Sequence, residues 1–171
     1  MNDPVKQFDA RMLEALVATA RETPRGRAHH NVHQSLEAPV QRLFIALEPR
    51  TYIPPHRHLQ PPKWEFLLLV SGALDLLIFD DHGRVWQRLC LSPTETRAVE
   101  LPAGTWHTYD CRASGTVVLE IKEGPYTPTP DEDFAPWAPR ENDPAAAAFR
   151  EALRAARPGK RSAAPPSTEG E

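Results

Sequence analysis

Three histidines and one glutamate carry the most chemistry in this 171-residue chain. His56 and His58 flank Arg57, Glu65 follows, and His107 closes the run Pro102-Ala103-Gly104-Thr105-Trp106-His107. Three imidazoles and one carboxylate are a donor set for a divalent transition metal. Fe, Mn, Ni, Cu and Zn all accept it, and geometry rather than affinity decides among them. The first pair has strand spacing: side chains two apart on a β-strand point the same way, with Cα atoms roughly 6.5 Å apart. One strand can therefore present both rings to one ion. A half-buried histidine pair and a turn histidine would use the same residues without metal. Glu65 can be a ligand, or an acceptor that orients a ligand imidazole. The expectation is one divalent transition metal per chain on His56, His58, Glu65 and His107.

Such a set needs short strands to hold it, and the pattern supplies them. Val40–Leu47, Thr51–His58, Trp64–Val70, Ala73–Phe79, Val85–Leu91, Arg97–Leu101, Trp106–Cys111 and Thr116–Lys122 read as strands separated by turn residues. Asp80-Asp81-His82-Gly83 is a hairpin signal, because glycine supplies the positive φ that such loops need. No helix among them is long enough for a βαβ crossover, so an antiparallel sandwich or barrel follows. Ahead of the strands, residues 6–22 repeat Phe8, Met12, Leu16 and Ala20 at helical spacing, with Pro24 and Gly26 as the stop. Arg27 to Glu37 reads as a polar, His-rich stretch. After Gly124 the chain is Pro-rich and acidic to Pro139, with Phe134 and Trp137 pinning it down. Asp143-Pro144 has the form of an N-cap and first residue for a helix over 144–156, and residues 158–171 have a disordered composition. The expected division is a helix within 1–26, a barrel over 27–138 and a helix with a tail over 139–171.

The spacing of His56-X-His58, Glu65 and Gly72, then Pro102-X-Gly104-X-X-His107, resembles the two motifs of the cupin superfamily. Arg50, Thr96 and Cys111 stand where the motifs have glycine, glycine and asparagine; all four ligand positions match. Several stretches resemble the WbuC-type cupin metalloproteins more closely: Asn31-Val32-His33-Gln34-Ser35, Val40 to Leu47, Pro55 to His58, Lys63-Trp64-Glu65, Gly104 to His107 and Leu119 to Tyr126, together spanning roughly residues 20–138. The resemblance implies an all-β double-stranded β-helix, a jelly-roll barrel. It also implies a metal held by the four residues named, a homodimer, and a place in surface-polysaccharide metabolism.

Strand parity nominates the neighbours, since residues of equal parity share a face. Tyr109 shares the face of His107. Glu120 and Lys122 share one face of the last strand, either as exposed charges or as a pocket acid and base. Arg42 is either solvated at an edge or turned inward to grip an anion through its guanidinium fork. His33 is a loop histidine or a general base titrating near neutrality. Lys63, Trp64 and Trp106 adjoin the ligands, where an indole can stack on a sugar face or simply fill the core. The candidate catalytic residues are thus Glu120, His33 and Tyr109, and the candidate substrate contacts are Arg42, Lys63, Trp64, Trp106 and Lys122. His29 and His30 read as surface residues.

Composition narrows the function further. A net charge of −3 disfavours a nucleic-acid partner, although Arg21, Arg25 and Arg27 form a small basic cluster. No apolar run approaches the ~18–20 residues of a membrane span, no signal peptide is visible, and two cysteines make neither a disulfide framework nor a CxxC site. A cytoplasmic protein with a small-molecule substrate is expected: an isomerase or epimerase acting on a sugar or nucleotide-sugar, or an Fe-dependent dioxygenase. A non-catalytic, metal-assisted binding domain for a sugar or acid is the alternative.

Overall fold

The computed structural model describes residues 5–159. A helix, α1 (Ala10–Glu22), is followed by eight strands: β1 (Arg27–Asn31), β2 (Val40–Leu47), β3 (Glu65–Ser71), β4 (Leu74–Phe79), β5 (Val85–Leu91), β6 (Ala98–Leu101), β7 (Trp106–Cys111) and β8 (Thr116–Glu123). A short 3₁₀ turn (Asp131–Asp133) and a second helix, α2 (Ala146–Ala155), complete the described chain. All strand pairings are antiparallel, in a five-stranded sheet ordered β1-β2-β8-β3-β6 and a three-stranded sheet ordered β5-β4-β7. The protein is a jelly-roll barrel with a helix at each end.

The barrel follows from side-chain alternation. Ile45, Leu47, Leu67 and Leu69 from the larger sheet meet Leu74, Leu76, Ile78 and Tyr109 from the smaller one in a continuous core. The outer faces are covered by the chain itself. Leu16 and Ala20 of α1 pack on Phe44, Ala46 and Val117, which is the amphipathic stripe read from the sequence. Asp9 caps this helix, its carboxylate accepting from the Met12 N–H at 2.9 Å. On the far side, Phe149 and Leu153 of α2 pack with Leu77, Phe79 and Trp106, so β4 is buried on both faces. α1 also reaches Val70, while Phe66 and Leu68 on the same face of β3 are half-buried.

Two expectations about the strands need correction. Thr51–His58 forms no strand, because Pro54 and Pro55 lack ladder donors; only His56 pairs, in isolated bridges to His107 and Phe134. Conversely, the polar stretch after Gly26 contains β1, paired with β2 from Arg27↔Leu47 to Asn31↔Leu43. The second helix also begins later than expected, at Ala146, with Asp143 accepting instead from the Ala145 N–H at 2.8 Å. Of the expected disordered tail, residues 160–171 lie outside the described residues. No helix of the described residues is long and apolar enough to cross a membrane.

Glu48, buried at the end of β2, ties three elements together. Its carboxylate accepts from Ser114 Oγ at 2.8 Å, from the Gly115 N–H at 3.0 Å and from Arg21 Nε of α1 at 3.2 Å. Burial alone would raise its pKa; these donors outweigh burial and hold it below the usual value. A carboxyl with a lowered folded pKa contributes stability above its unfolded pKa and loses it as pH falls through the folded one. Urea unfolding should therefore show Glu48→Gln less stable than wild type at neutral pH, with the gap closing as pH falls below about 4.3.

The turn between β3 and β4 carries the chain from one sheet to the other. Gly72 sits there at φ 79°, and a Cβ would lie 2.6 Å from Thr116 Cα. Gly72→Ala should cost about 2 kcal/mol or more, read as a lowered urea midpoint.

Candidate metal centre

His56 and His107 are brought together by backbone. The His56 N–H donates to the His107 carbonyl at 3.0 Å and the His107 N–H to the His56 carbonyl at 2.9 Å. Residues paired this way stand side by side on one face of the ladder, and the two ring centroids are 4.5 Å apart. Across Arg57, the His58 ring follows at 5.1 Å from that of His56. Arg57 turns the other way, over the Trp106 ring at 4.3 Å and onto Asp133 at 3.1 Å. One ligand nitrogen from each of the three histidines lies within 4.8 Å of the others. Glu65, the first residue of β3, completes the cluster: Oε1 is 2.9 Å from His58 Nε2 and Oε2 is 3.1 Å from His107 Nε2.

The protonation pattern of this cluster calls for a cation. His107 Nδ1 lies 2.9 Å from the Thr105 carbonyl and His56 Nδ1 3.0 Å from the Pro54 carbonyl. A carbonyl only accepts, so each Nδ1 carries the hydrogen and each neutral ring presents an Nε2 lone pair. His58 Nε2, His107 Nε2 and Glu65 Oε2 are all buried, and none has a partner in hydrogen-bond geometry. Lone pairs facing a buried carboxylate are a costly arrangement without a cation among them. The three histidines fit a divalent transition metal as borderline donors, with the Glu65 carboxylate against two of them.

The electrostatics separate the two rings. Burial, followed by the charge of His107, pushes the His56 imidazole well below its usual pKa and keeps its lone pair free. For His107 burial acts in the same direction, but the adjacent Glu65 carboxylate outweighs it and raises the pKa. Glu65 is only 2% exposed. Burial would raise its pKa; contact with His107 and His58 and the charge of Lys122 hold it well below the carboxylate range.

His56 and Glu65 stand in the wall of a cavity of about 750 Å³. The register of the larger sheet explains the rest of that wall. Lys122 is opposite both Glu65 and Gln41, and Glu120 is opposite both Leu67 and Leu43. Glu120 and Lys122 therefore point inward together, and Lys122 Nζ bridges Glu120 at 2.7 Å and Glu65 at 3.3 Å. Tyr109 and His33 line the cavity as well. His33 Nδ1 packs against the backbone of Arg42, at 2.9 Å from its carbonyl and 3.1 Å from its N–H, and its buried Nε2 has no partner.

Four expected substrate contacts are placed elsewhere. Arg42 is exposed, because Gln41 and Leu43 take the inward positions of β2. Lys63 lines a separate crevice of about 40 Å³ beside His58; its ammonium is buried against the Pro125 carbonyl and Thr127 Oγ1. Trp64 has the opposite parity to Glu65 and is absent from the cavity wall. Trp106 packs outward among Phe79, Phe149 and Leu153, its indole N–H donating to Asp81 at 2.9 Å.

Other residues of the site escaped the sequence reading. Asp133 is buried in the Pro-rich segment and accepts from the Leu59 and Gln60 N–H groups at 2.9 Å as well as from Arg57, so it fixes the turn after His58. Arg27, His29 and Asn31 belong to the cavity wall through β1, the strand that was not expected, and Arg25 joins them from the turn just before it. Only the equal parity of Arg27, His29 and Asn31 could have signalled it.

Comparison with known proteins adds little to this geometry. A family model described as a domain of unknown function, DUF6016, matches residues 8–91. No curated protein matches the chain. Among solved structures, KdgF from a Halomonas species is 17% identical, with a TM-score of 0.48 over 62% of this chain and 85% of that one. A cupin-superfamily protein from Desulfitobacterium hafniense is 15% identical, with a TM-score of 0.45 over 57% of this chain and 76% of that one. Oxalate decarboxylase from Bacillus subtilis is 16% identical, with a TM-score of 0.46 over 63% of this chain but only 26% of that one. Nothing about the chemistry of this chain follows from likenesses so remote.

Changing His58→Ala and His107→Ala together should abolish metal binding. Elemental analysis of the purified double variant checks it, and stoichiometric metal surviving there would remove the site.

Proposed function

We propose that this chain is a metal-dependent enzyme of the WbuC-type cupin kind, acting on a sugar or nucleotide-sugar of surface-polysaccharide metabolism by an isomerase- or epimerase-like step. One observation supports it above others: the partnerless lone pairs of His58, His107 and Glu65 lie next to a cavity of small-molecule size that also holds acid and base groups. A divalent ion on His56, His58, Glu65 and His107 would supply Lewis acidity, polarising a substrate carbonyl or hydroxyl. The chain's own residues supply the proton handling. Burial, then the charges of Glu65 and Glu120, hold the Tyr109 phenol well above its usual pKa, so its O–H is a donor at neutral pH. Glu120 offers a carboxylate oxygen to accept a proton. His33, its ring anchored through Nδ1, offers Nε2 as a second proton carrier.

A binding domain without turnover is favoured by a different observation. Lys122 already pairs with Glu120 at 2.7 Å, so this carboxylate is engaged by a neighbouring side chain instead of being free to meet a substrate. Solvent deuterium separates the readings. An isomerase or epimerase that removes a C–H proton and returns one from water incorporates deuterium into its sugar in D₂O. Proton NMR of metal-loaded protein with a panel of sugars and nucleotide-sugars should show that exchange, and Glu120→Gln should abolish it while leaving metal content unchanged. Metal-dependent ligand binding with neither exchange nor oxygen uptake would establish the binding domain instead; oxygen uptake with substrate and iron would establish the dioxygenase.

A further inference from the structure

The mouth of the cavity holds a second recognition element. Arg25 and Arg27 flank Gly26 at the entry to β1 and both close on Glu141, which comes from the segment that follows the barrel. Arg25 donates to the two Glu141 oxygens through Nε and Nη2, each at 2.8 Å. Arg27 adds Nη2 at 3.0 Å and brings Nη1 to 2.8 Å. Two guanidiniums around one carboxylate are a carboxylate clamp. All three residues line the cavity that His56 and Glu65 also line.

We propose that this clamp receives the carboxylate of a small organic acid, and that Glu141 is its tethered internal occupant. The proposal rests on the metal-centre reading for what lies deeper in the cavity, and it narrows the substrate class to an acid or a sugar bearing one. The charge distribution supports it. Inside, Lys122 is matched by Glu65 and Glu120. At the mouth, Arg25, Arg27 and Arg140 face Glu141 alone within the wall; Arg140 stacks on Phe134 at 4.0 Å and pairs with the exposed Asp131. Arg27 is held by the Tyr52 carbonyl at 3.0 Å, so the clamp is preorganised whether Glu141 or another carboxylate fills it. His29, on the same wall, reports the sign of the field. Although solvent reaches the ring, its pKa is lowered to about 4, first by the enclosing walls and then by the charges of Arg27, Arg25 and Lys122.

A tethered competitor weakens the binding of a free ligand, because its effective concentration is high. Glu141→Gln keeps the segment and removes the competing charge. The test is titration calorimetry of the full metal-loaded chain with malonate, and with malonamide as its neutral counterpart. Glu141→Gln should bind malonate about tenfold more tightly than wild type, and Arg27→Met about tenfold more weakly, with no heat from malonamide in any variant. Arg27 is buried; if its variant does not fold, Arg25→Met, at an exposed side chain, carries the same expectation. Equal malonate affinity in wild type, Glu141→Gln and Arg25→Met would overturn the proposal, as would no malonate binding to Glu141→Gln, which would make Glu141 a structural latch only. Elemental analysis of the same samples keeps the two readings apart. Wild type that takes up no metal would end the metal-centre reading, while the Glu141 and Arg25 comparisons still decide the clamp.

Discussion

A carboxylate 2% exposed in the wall of a barrel must be compensated, and most of this structure is organised around compensating Glu65. Removing a charge from water costs several kcal/mol unless partners replace the solvent. Glu65 obtains them from three directions: Lys122 beside it in the sheet, His58 from the loop ahead of β3, and His107 from the opposite sheet. Lys122 is shared with Glu120, so it does not neutralise Glu65 alone. In their neutral forms His56 and His107 present Nε2 lone pairs, because their Nδ1 hydrogens are committed to the Pro54 and Thr105 carbonyls. A dication held by the three histidines would complete the balance that the protein side chains leave open. The metal reading therefore rests on this electrostatic arrangement rather than on a motif.

Much of this was legible in the sequence, for identifiable reasons. β2, β5 and β7 occupy the ranges that alternation assigned, since strands that bury one or both faces leave a strong apolar record. Parity put Glu120 and Lys122 on one face of β8, and the register of the sheet decides that this face is the inward one. The histidine pair was legible by type and spacing but not by cause. Its segment does not lie in a ladder; a single hydrogen-bonded pair with His107 positions it, and Pro54 and Pro55 forbid the rest. A strand and an extended segment with one bridge present side chains alike, so the three histidines still come together although their support differs from the expected strand.

What stayed hidden was hidden by polarity. β1 reads Arg-Ala-His-His-Asn, with no apolar alternation, because its inner face borders a cavity instead of the core. Periodicity detects faces packed on hydrocarbon and is silent about faces packed on a binding site. The same reason explains Asp133, which lies in an acidic, Pro-rich stretch and reads as solvated, yet is 1% exposed. For Arg42 the sequence left a solvated edge and an inward grip both open; the structure exposes it near the start of β2, and Gln41 takes the inward place to hold the loop carbonyls of Leu36 and Ala38.

The cavity also suggests how specificity and chemistry are divided within it. Apolar Leu43, Ile45 and Ile53 line the same wall as the charged groups at both ends. A neutral, fully apolar ligand would leave both sets of charges without a new partner, whereas a ligand with oxygen at one end and negative charge at the other would engage both. Such a ligand would be oriented before any proton moved, since the two sets of groups differ in chemistry and stand in the wall of one cavity. Lys122 then has a particular place. Its pKa is raised by Glu120 and Glu65 against the opposing effect of burial, so it stays an ammonium and holds both carboxylates where they are. Whether Glu120 can leave that pair to take a proton depends on what charge the bound ligand brings near Lys122: an anion drawn to the ammonium would loosen its hold on Glu120. Charge on a ligand would in that way serve recognition and release Glu120 together.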